Sequence, residues 1–238
     1  MKYELDLHCH TIASGHAYST LEENAKSASE KGLKLIGLTD HAPKMPGAPH
    51  IFYFHNLKVV PETLHGVRIL KGAEVNIIDR DGSVDLDDYT LKSLDIVIAS
   101  LHPPCINFGT IEENTKTIIG AIRNQRINVI GHPDDSRFPL DYELVVKEAK
   151  EHNTLLEVNN SSLDPNSFRL NSVNNCTKML ELCMKYKASI IIGSDSHISC
   201  DVGNFSNAQM VLERVGFPED LIVNTSIDKL KKYINIDN

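Results

Sequence analysis

Apolar runs of strand length recur along the whole 238-residue chain, each parted from the next by a stretch with helical spacing. This alternation constrains the fold more than any other feature. Runs near Tyr3 to His8, Leu35 to Leu38, Val67 to Glu74, Ile96 to Leu101, Val129 to Ile130, Leu155 to Asn159 and Ser189 to Gly193 carry Ile, Val and Leu on consecutive positions. Parallel strands buried on both faces have that character. Between them, Thr20 and Glu23 have capping-box spacing, Asp141 stands as an N-cap before Val145 to His152, and Gly32 reads as a helix C-cap. Thr110 to Arg126, Asn171 to Lys187 and Ser206 to Val215 supply three more helices, and Asp228 to Tyr233 begins a short terminal one. Strand, helix, strand in repetition implies right-handed crossovers. No linker, repeat or low-complexity tract interrupts the series, so residues 1–238 read as a single α/β domain. The length suits a (β/α) barrel, which seven strands would make irregular; periodicity alone leaves an open sheet possible.

The charge balance narrows the partners. With 24 Lys plus Arg against 32 Asp plus Glu, the formal charge is −8, which argues against nonspecific attraction to nucleic acid or an anionic membrane. Any anionic substrate must be held by something local. No apolar run reaches the length of a membrane span, and the N-terminus (Lys2, Glu4, Asp6, His8) lacks the apolar centre of a signal peptide, so a cytoplasmic protein is expected. Cys9, Cys105, Cys176, Cys183 and Cys200 are scattered and odd in number, without CxxC spacing, and read as small buried hydrophobes.

The 11 histidines are placed selectively. His8, His10, His41, His102, His132 and His197 stand at or just after the C-terminal ends of predicted strands, and His16 lies in the first loop. In parallel α/β folds those ends share one rim, where active sites assemble. His8 and His10, spaced i, i+2, turn to one face of an extended segment and Cys9 to the other. Asp195 and His197 repeat that arrangement at the end of the last strand. Glu74 ends the third strand, where a buried carboxylate needs a cation; Lys71, three positions away, points to the other face. Nine candidates, His8, His10, His16, His41, Glu74, His102, His132, Asp195 and His197, exceed the needs of one ion and suggest two or three. Imidazole with some carboxylate suits zinc, iron or manganese, and the sequence does not choose among them. No GxSxG elbow, Cys–His signature or Gly-rich phosphate loop supplies another chemistry.

The segments His8-x-His10, His16, Thr39-Asp-His41, Glu74, His102, His132 and Ser194-Asp-Ser-His197 resemble the motif set of the PHP (polymerase and histidinol phosphatase) family. They are most like its small bacterial phosphatases of the YcdX type. Asp6-Leu-His-x-His-Thr, His16-Ala-Tyr-Ser-Thr and Glu157-x-Asn-Asn-Ser-Ser extend the likeness over nearly the whole chain. The resemblance implies a distorted (β/α)7 TIM-like barrel and three divalent ions. His8, His10, Glu74 and Asp195 would hold one ion, Glu74 bridging to a second on His102 and His132, and His16, His41 and His197 would hold the third. It further implies hydrolysis of a small-molecule phosphate monoester by metal-activated hydroxide, with Glu74, Asp195 and His197 as catalytic residues, and a trimer, as in some members. Pro133-Asp-Asp-Ser-Arg137 departs from the Gly-Asn-Pro-Lys type of loop that the family pattern has after His132.

Arg137 offers a bidentate fork for phosphate, and Asn159, on the same rim, a hydrogen bond to substrate or to a ligand. Arg80 and Lys44 are weaker candidates of the same kind. Asp40 reads as an orienting or capping carboxylate, and His50, His55, His65 and His152 as ordinary residues. Asp79-Arg-Asp-Gly82 carries a turn signal for a small hairpin. The alternatives are an amidohydrolase-like dinuclear hydrolase, which leaves His16, His41 and His197 without a task, a PHP-type exonuclease, and a noncatalytic metal-binding regulatory module.

Overall fold

The computed structural model describes residues 1–236. Strands β1 (Leu5–Asp6) and β2 (Leu35–Leu38) are followed by β3 (Thr63–Leu64), a short antiparallel partner at the start of β4 (Val67–Asn76). Then come β5 (Ile96–Ser100), β6 (Val129–Ile130), β7 (Leu155–Asn159) and β8 (Ile190–Gly193). Leaving β3 aside, the parallel order in space is β1-β2-β4-β5-β6-β7-β8, the order of the chain. That order, with first and last strands adjacent, is a seven-stranded, nearly closed barrel.

The seam between β1 and β8 has little ladder of its own. At its upper end Cys9 and Ser196 form one parallel bridge, with the His10 amide donating to Ser196 O at 2.9 Å. Lower down the fully buried Asn224 stands in for a strand. Its Oδ1 accepts from the Ile192 amide at 2.7 Å, and its Nδ2 donates to Leu5 O at 3.0 Å and Ile192 O at 2.7 Å. The Asp6 carboxylate fills the space between, accepting from the amides of Ser194 and Gly203.

Side chains alternate across a strand, so the barrel interior can be counted in steps of two. The lowest layer is Leu5, Leu35, Leu70, Ile96, Val129, Leu155 and Ile191, one apolar side chain from each strand, plugged from below by Val223, Leu230, Ile234 and Ile236. Two residues on, glycine replaces bulk at Gly37, Gly72, Gly131 and Gly193. Two more bring Thr39, Glu74, Ser100, Asn159 and Asp195, and a further two bring His41, Asn76, His102 and His197. The polar site is therefore the continuation of the core, opened by a layer of glycines. β1 and β6 slip phase to join it. Leu7 packs in the interior and Cys9 in the outer core, with His8 and His10 turned inward between and beyond them, and His132 takes a left-handed backbone with φ 29°.

The outer core is packed by α1 (Leu21–Glu30), α2 (Phe52–His55), α3 (Asp88–Lys92), α4 (Ile111–Arg123), α5 (Tyr142–Glu151), α6 (Ser172–Tyr186), α7 (Ser206–Val215) and α8 (Ile227–Leu230). The predicted caps are present, a Thr20–Glu23 capping box and Asp141 on the amides of Glu143 and Leu144, and the structure adds a second box at Thr110–Glu113. Gly32, with φ 76°, follows the end of α1. Helices α4, α6 and α8 stop short of the predicted spans because their end residues turn into the next loop, and α2 and α3, each about one turn, carry too little periodicity to be read from sequence. The Asp79–Gly82 turn does head a minimal hairpin, with an Ile77–Val84 antiparallel bridge. Cys9, Cys105, Cys176 and Cys183 are buried and free, while Cys200 is exposed. Among the described residues no helix is long and apolar enough to cross a membrane.

Candidate metal centre

Glu74 lies at the middle of the rim with both carboxylate oxygens ringed by imidazoles. Oε2 is 3.4 Å from His8 Nε2, 3.5 Å from His10 Nε2 and 2.7 Å from His41 Nδ1. Oε1 is 3.3 Å from His102 Nε2 and 3.0 Å from His132 Nε2, and accepts from Ser100 Oγ at 2.7 Å. Asp195 faces the same pair as Glu74, with Oδ1 at 3.6 Å from His8 Nε2 and 3.3 Å from His10 Nε2. His16 and His197 complete the group from the solvent side, with ring centroids 4.9 Å apart, and His16 also lies 4.9 Å from His41. The nine predicted residues thus meet at one place, His16 at its exposed margin.

Four of the imidazoles are held by their Nδ1 atoms. His8 Nδ1 meets Glu157 Oε1 at 2.6 Å, His10 Nδ1 meets Ser14 Oγ at 2.9 Å, His102 Nδ1 meets Asn76 Oδ1 at 2.7 Å and His197 Nδ1 meets Asp195 O at 3.0 Å. In each case Nδ1–H donates and the Nε2 lone pair is turned toward the centre, the arrangement that fixes a metal-binding tautomer. Behind Ser14 stands the buried Asp40, which accepts from Ser14 Oγ at 2.7 Å, the Thr11 amide and hydroxyl, and Tyr53 Oη. Asp40 is thus the orienting carboxylate expected of it.

The electrostatics ask for positive charge. Burial would raise the Glu74 carboxyl, yet His102, His8 and His41 hold it well below its ordinary range. Asp195 is lowered likewise, against burial, by His8, His10 and Arg169. Burial pushes His10 well down and His102 to about 4, so both are neutral donors. His8 goes the other way: against burial, Glu157, Glu74 and Asp195 draw a proton onto it, as they would draw any cation.

Whether the residues fit metal ions can be judged from what they leave unpaired. His8 Nε2, His10 Nε2, His41 Nδ1, His102 Nε2 and Glu74 Oε2 are buried and make no well-aligned hydrogen bond, although His41 Nδ1 and Glu74 Oε2 lie 2.7 Å apart. Orphaned buried polar atoms are rare and carry a penalty of about 1–3 kcal/mol each; five facing one point are donors arranged for cations. Three overlapping triads have their ligand atoms within 4.8 Å of one another: His10, His41 and His197; His8, His10 and Glu74; His41, Glu74 and His102. The donor set fits more than one divalent ion.

A cavity of about 790 Å³ opens above the cluster, lined among others by His16, His41, His102, Asp195 and His197. Arg137 lines it with its guanidinium engaged by Asp135, Nε to Oδ2 at 2.8 Å. The Pro133–Arg137 loop is docked on the segment after β7, the Ser136 amide donating to Leu170 O. Asn159 is placed behind Asp195 rather than in the cavity wall: it is fully buried, and its Nδ2 donates to Glu157 Oε2 at 3.0 Å and Asp195 Oδ2 at 3.2 Å. Arg80 is engaged with Asn114 and Asn107, away from the cluster, and His65 with Glu22.

Two residues at the centre carry no assigned role in the sequence: Glu157 enters there only within the Glu157-x-Asn-Asn-Ser-Ser segment, and Arg169 not at all. Glu157 binds His8 and the His132 amide at 2.7 Å, and its inward phase between Leu155 and Asn159 was a usable signal. Arg169, with a side chain 7% exposed, places Nη1 and Nη2 each 3.2 Å from Asp195 Oδ2; it comes from an irregular loop, where no periodicity marks it.

A family model described as PHP domain matches residues 6–235. A Clostridium novyi (strain NT) protein named "Probable phosphatase" is 53% identical over 234 residues, 98% of this chain and 95% of its own length. Among solved structures, histidinol phosphate phosphatase from Lactococcus lactis, complexed with zinc, L-histidinol and phosphate, superposes with a TM-score of 0.58 at 16% identity, covering 91% of this chain and 95% of that one. A chain of archaeal ribonuclease P, determined by cryo-EM with mature tRNA, reaches 0.61 at 14% identity, covering 96% and 89%. These two likenesses show the barrel alone. The family match over nearly the whole length and the identity to the clostridial protein agree: this chain belongs to the PHP domain family.

Proposed function

We propose that the chain is a metal-dependent phosphatase that hydrolyses phosphate monoesters of small molecules at a trinuclear centre, with zinc the first choice of ion. The observation that carries this reading is the set of five orphaned imidazole and carboxylate atoms turned toward one point under an open cavity. His8, His10, Glu74 and Asp195 would hold one ion, the second oxygen of Glu74 with His102 and His132 another, and His16, His41 and His197 the third. Bound divalent ions supply Lewis-acid activation of water and neutralise phosphoryl oxygens.

The chain's own groups do the rest. Glu157, Ser14 and Asn76 fix the imidazoles in the tautomer that presents Nε2. Asn159 and Arg169 hold Asp195 Oδ2, leaving Oδ1 directed at His8 and His10. Arg169 and Arg137 also bring guanidinium groups to the cavity wall, each engaged by a carboxylate, so either can receive phosphoryl oxygens only by loosening its bond to Asp195 or Asp135. Support from outside comes from the clostridial relative's name and from the zinc and phosphate recorded with the Lactococcus protein.

The test is metal analysis with activity. Gently purified protein should contain about three divalent ions per chain, and chelator should abolish hydrolysis of p-nitrophenyl phosphate. Asp195→Asn should lower kcat while leaving the circular-dichroism spectrum intact. Two ions per chain would favour the amidohydrolase-like scheme, and full activity in metal-free protein would defeat the proposal.

A further inference from the structure

The cavity is far larger than a phosphate group needs and falls within the range of sites that enclose a whole small molecule. Its outer half therefore meets the alcohol from which phosphate is cleaved. Three features of that half limit what the alcohol can be.

The first is charge. Among the described residues the arginines that line the cavity are Arg137 and Arg169, no lysine lines it, and each arginine is already engaged by a carboxylate, Asp135 and Asp195. The remaining charged groups of the outer wall, Asp164 and Asp201, are acidic. A leaving group with a second phosphate or a carboxylate would meet repulsion there and find no uncommitted cation.

The second is hydrogen bonding. Asn160 uses its Oδ1 on the amides of Asn207 and Ala208, and Asn204 uses its Oδ1 on Ser206. Both line the cavity, so what their side chains have left to offer is N–H. Asp164 and Asp201 offer only acceptors. A partner must therefore both accept and donate, which hydroxyl groups do and an ammonium group cannot. The two loops that carry these groups are tied together through Asn160, so the wall is pre-formed.

The third is Phe168, which lines the cavity although its side chain is largely exposed. The Cζ atoms of Arg137 and Arg169 each lie 5.2 Å from its ring centroid, which holds the ring in place. It gives an apolar surface to C–H groups beside a wall made for hydroxyls.

Resting on the phosphatase reading above, we propose that the substrate is the monophosphate of a neutral polyhydroxylated alcohol, a sugar or acyclic polyol, with its hydroxyls on Asn160, Asp164, Asp201 and Asn204 and its carbon chain against Phe168. The test compares kcat/KM of the metal-loaded full chain for sorbitol 6-phosphate, 3-phosphoglycerate and phosphoethanolamine, with p-nitrophenyl phosphate as reference. Sorbitol 6-phosphate should exceed each of the other two by at least tenfold. Asp201→Lys and, separately, Asp164→Lys, both at exposed loop positions, should each move the ratio of sorbitol 6-phosphate to 3-phosphoglycerate at least tenfold toward the acid. A preference for the acid or the amine in the parent chain, or a ratio unmoved in both variants, overturns the inference while p-nitrophenyl phosphate is still cleaved. Failure to cleave any of the four esters overturns the phosphatase reading, and this inference with it.

Discussion

Replacing Gly193 by alanine tests whether the glycine layer makes room for the site. A Cβ at Gly193 would lie 1.9 Å from Glu157 Oε1 and 2.9 Å from His8 Cβ. Ordinary contact begins near 3.4 Å, so the carboxylate has to withdraw by about 1.5 Å. That movement breaks its bonds to His8 Nδ1 at 2.6 Å and to the His132 amide at 2.7 Å, and strains the one from Asn159. Overpacking costs about 1–3 kcal/mol and a lost hydrogen bond to a charged group about 1.5–3 kcal/mol. The lower unfolded-state entropy of alanine returns less than about 1 kcal/mol. A net loss of about 3–5 kcal/mol is expected, a large share of a typical total of about 5–15 kcal/mol. Gly32→Ala is the control, because its φ of 76° is unfavourable for alanine but nothing lies within 4 Å of the new methyl; it should cost about 1–2 kcal/mol. Urea titration followed by circular dichroism measures both, and zinc retained after desalting reports on the site. If Gly193→Ala costs no more than Gly32→Ala and keeps its zinc, the layer does not work as described.

Ser14→Ala removes the hydroxyl between His10 and Asp40 and should weaken zinc binding by about 10–100-fold with little change in melting temperature, read by competition with a chromophoric chelator. Unchanged affinity would remove Ser14 from the ligand support. Asn224→Ala strips three hydrogen bonds from the seam and should cost about 3–5 kcal/mol in urea unfolding; a loss under about 1 kcal/mol would mean that β1 and β8 hold without it. Thr110→Ala opens the capping box of α4 and should cost about 1 kcal/mol while leaving zinc content alone, which separates global stability from the integrity of the centre.

The fold was legible because its strongest signal is local: Ile, Val and Leu on consecutive positions mark strands covered on both faces, as at Ile96–Ser100 and Leu155–Asn159, which are buried throughout. Closure was not, since it depends on Asn224, a residue outside every strand whose role exists only once β1 and β8 are neighbours. The histidines at the strand ends could be read as one site because parallel strands share an end. Glu157 stands in the sequence as part of a recognisable segment and keeps the same inward phase, but its partners, His8 and the His132 amide, come from other strands and are set only by the fold. Of the two readings of Asn159, a bond to substrate or to a ligand, its phase selects the second by carrying it under Asp195. Arg169 has no such phase; its guanidinium reaches Asp195 only through the path of the loop after β7.

Residue 224 follows every strand in the chain, so the side-chain amide that fastens the first strand to the last is made only after all of them. His10 and His197 are separated by 187 positions, which at about 5–20 residues per second is roughly 10–40 s of translation. Throughout that interval a nascent chain displays His8 and His10 without the acidic and imidazole companions that would complete their coordination. The full set of donors therefore exists only in the closed, fastened barrel, and on the metal-dependent reading the choice among cations would fall to that finished fold and not to its first strand.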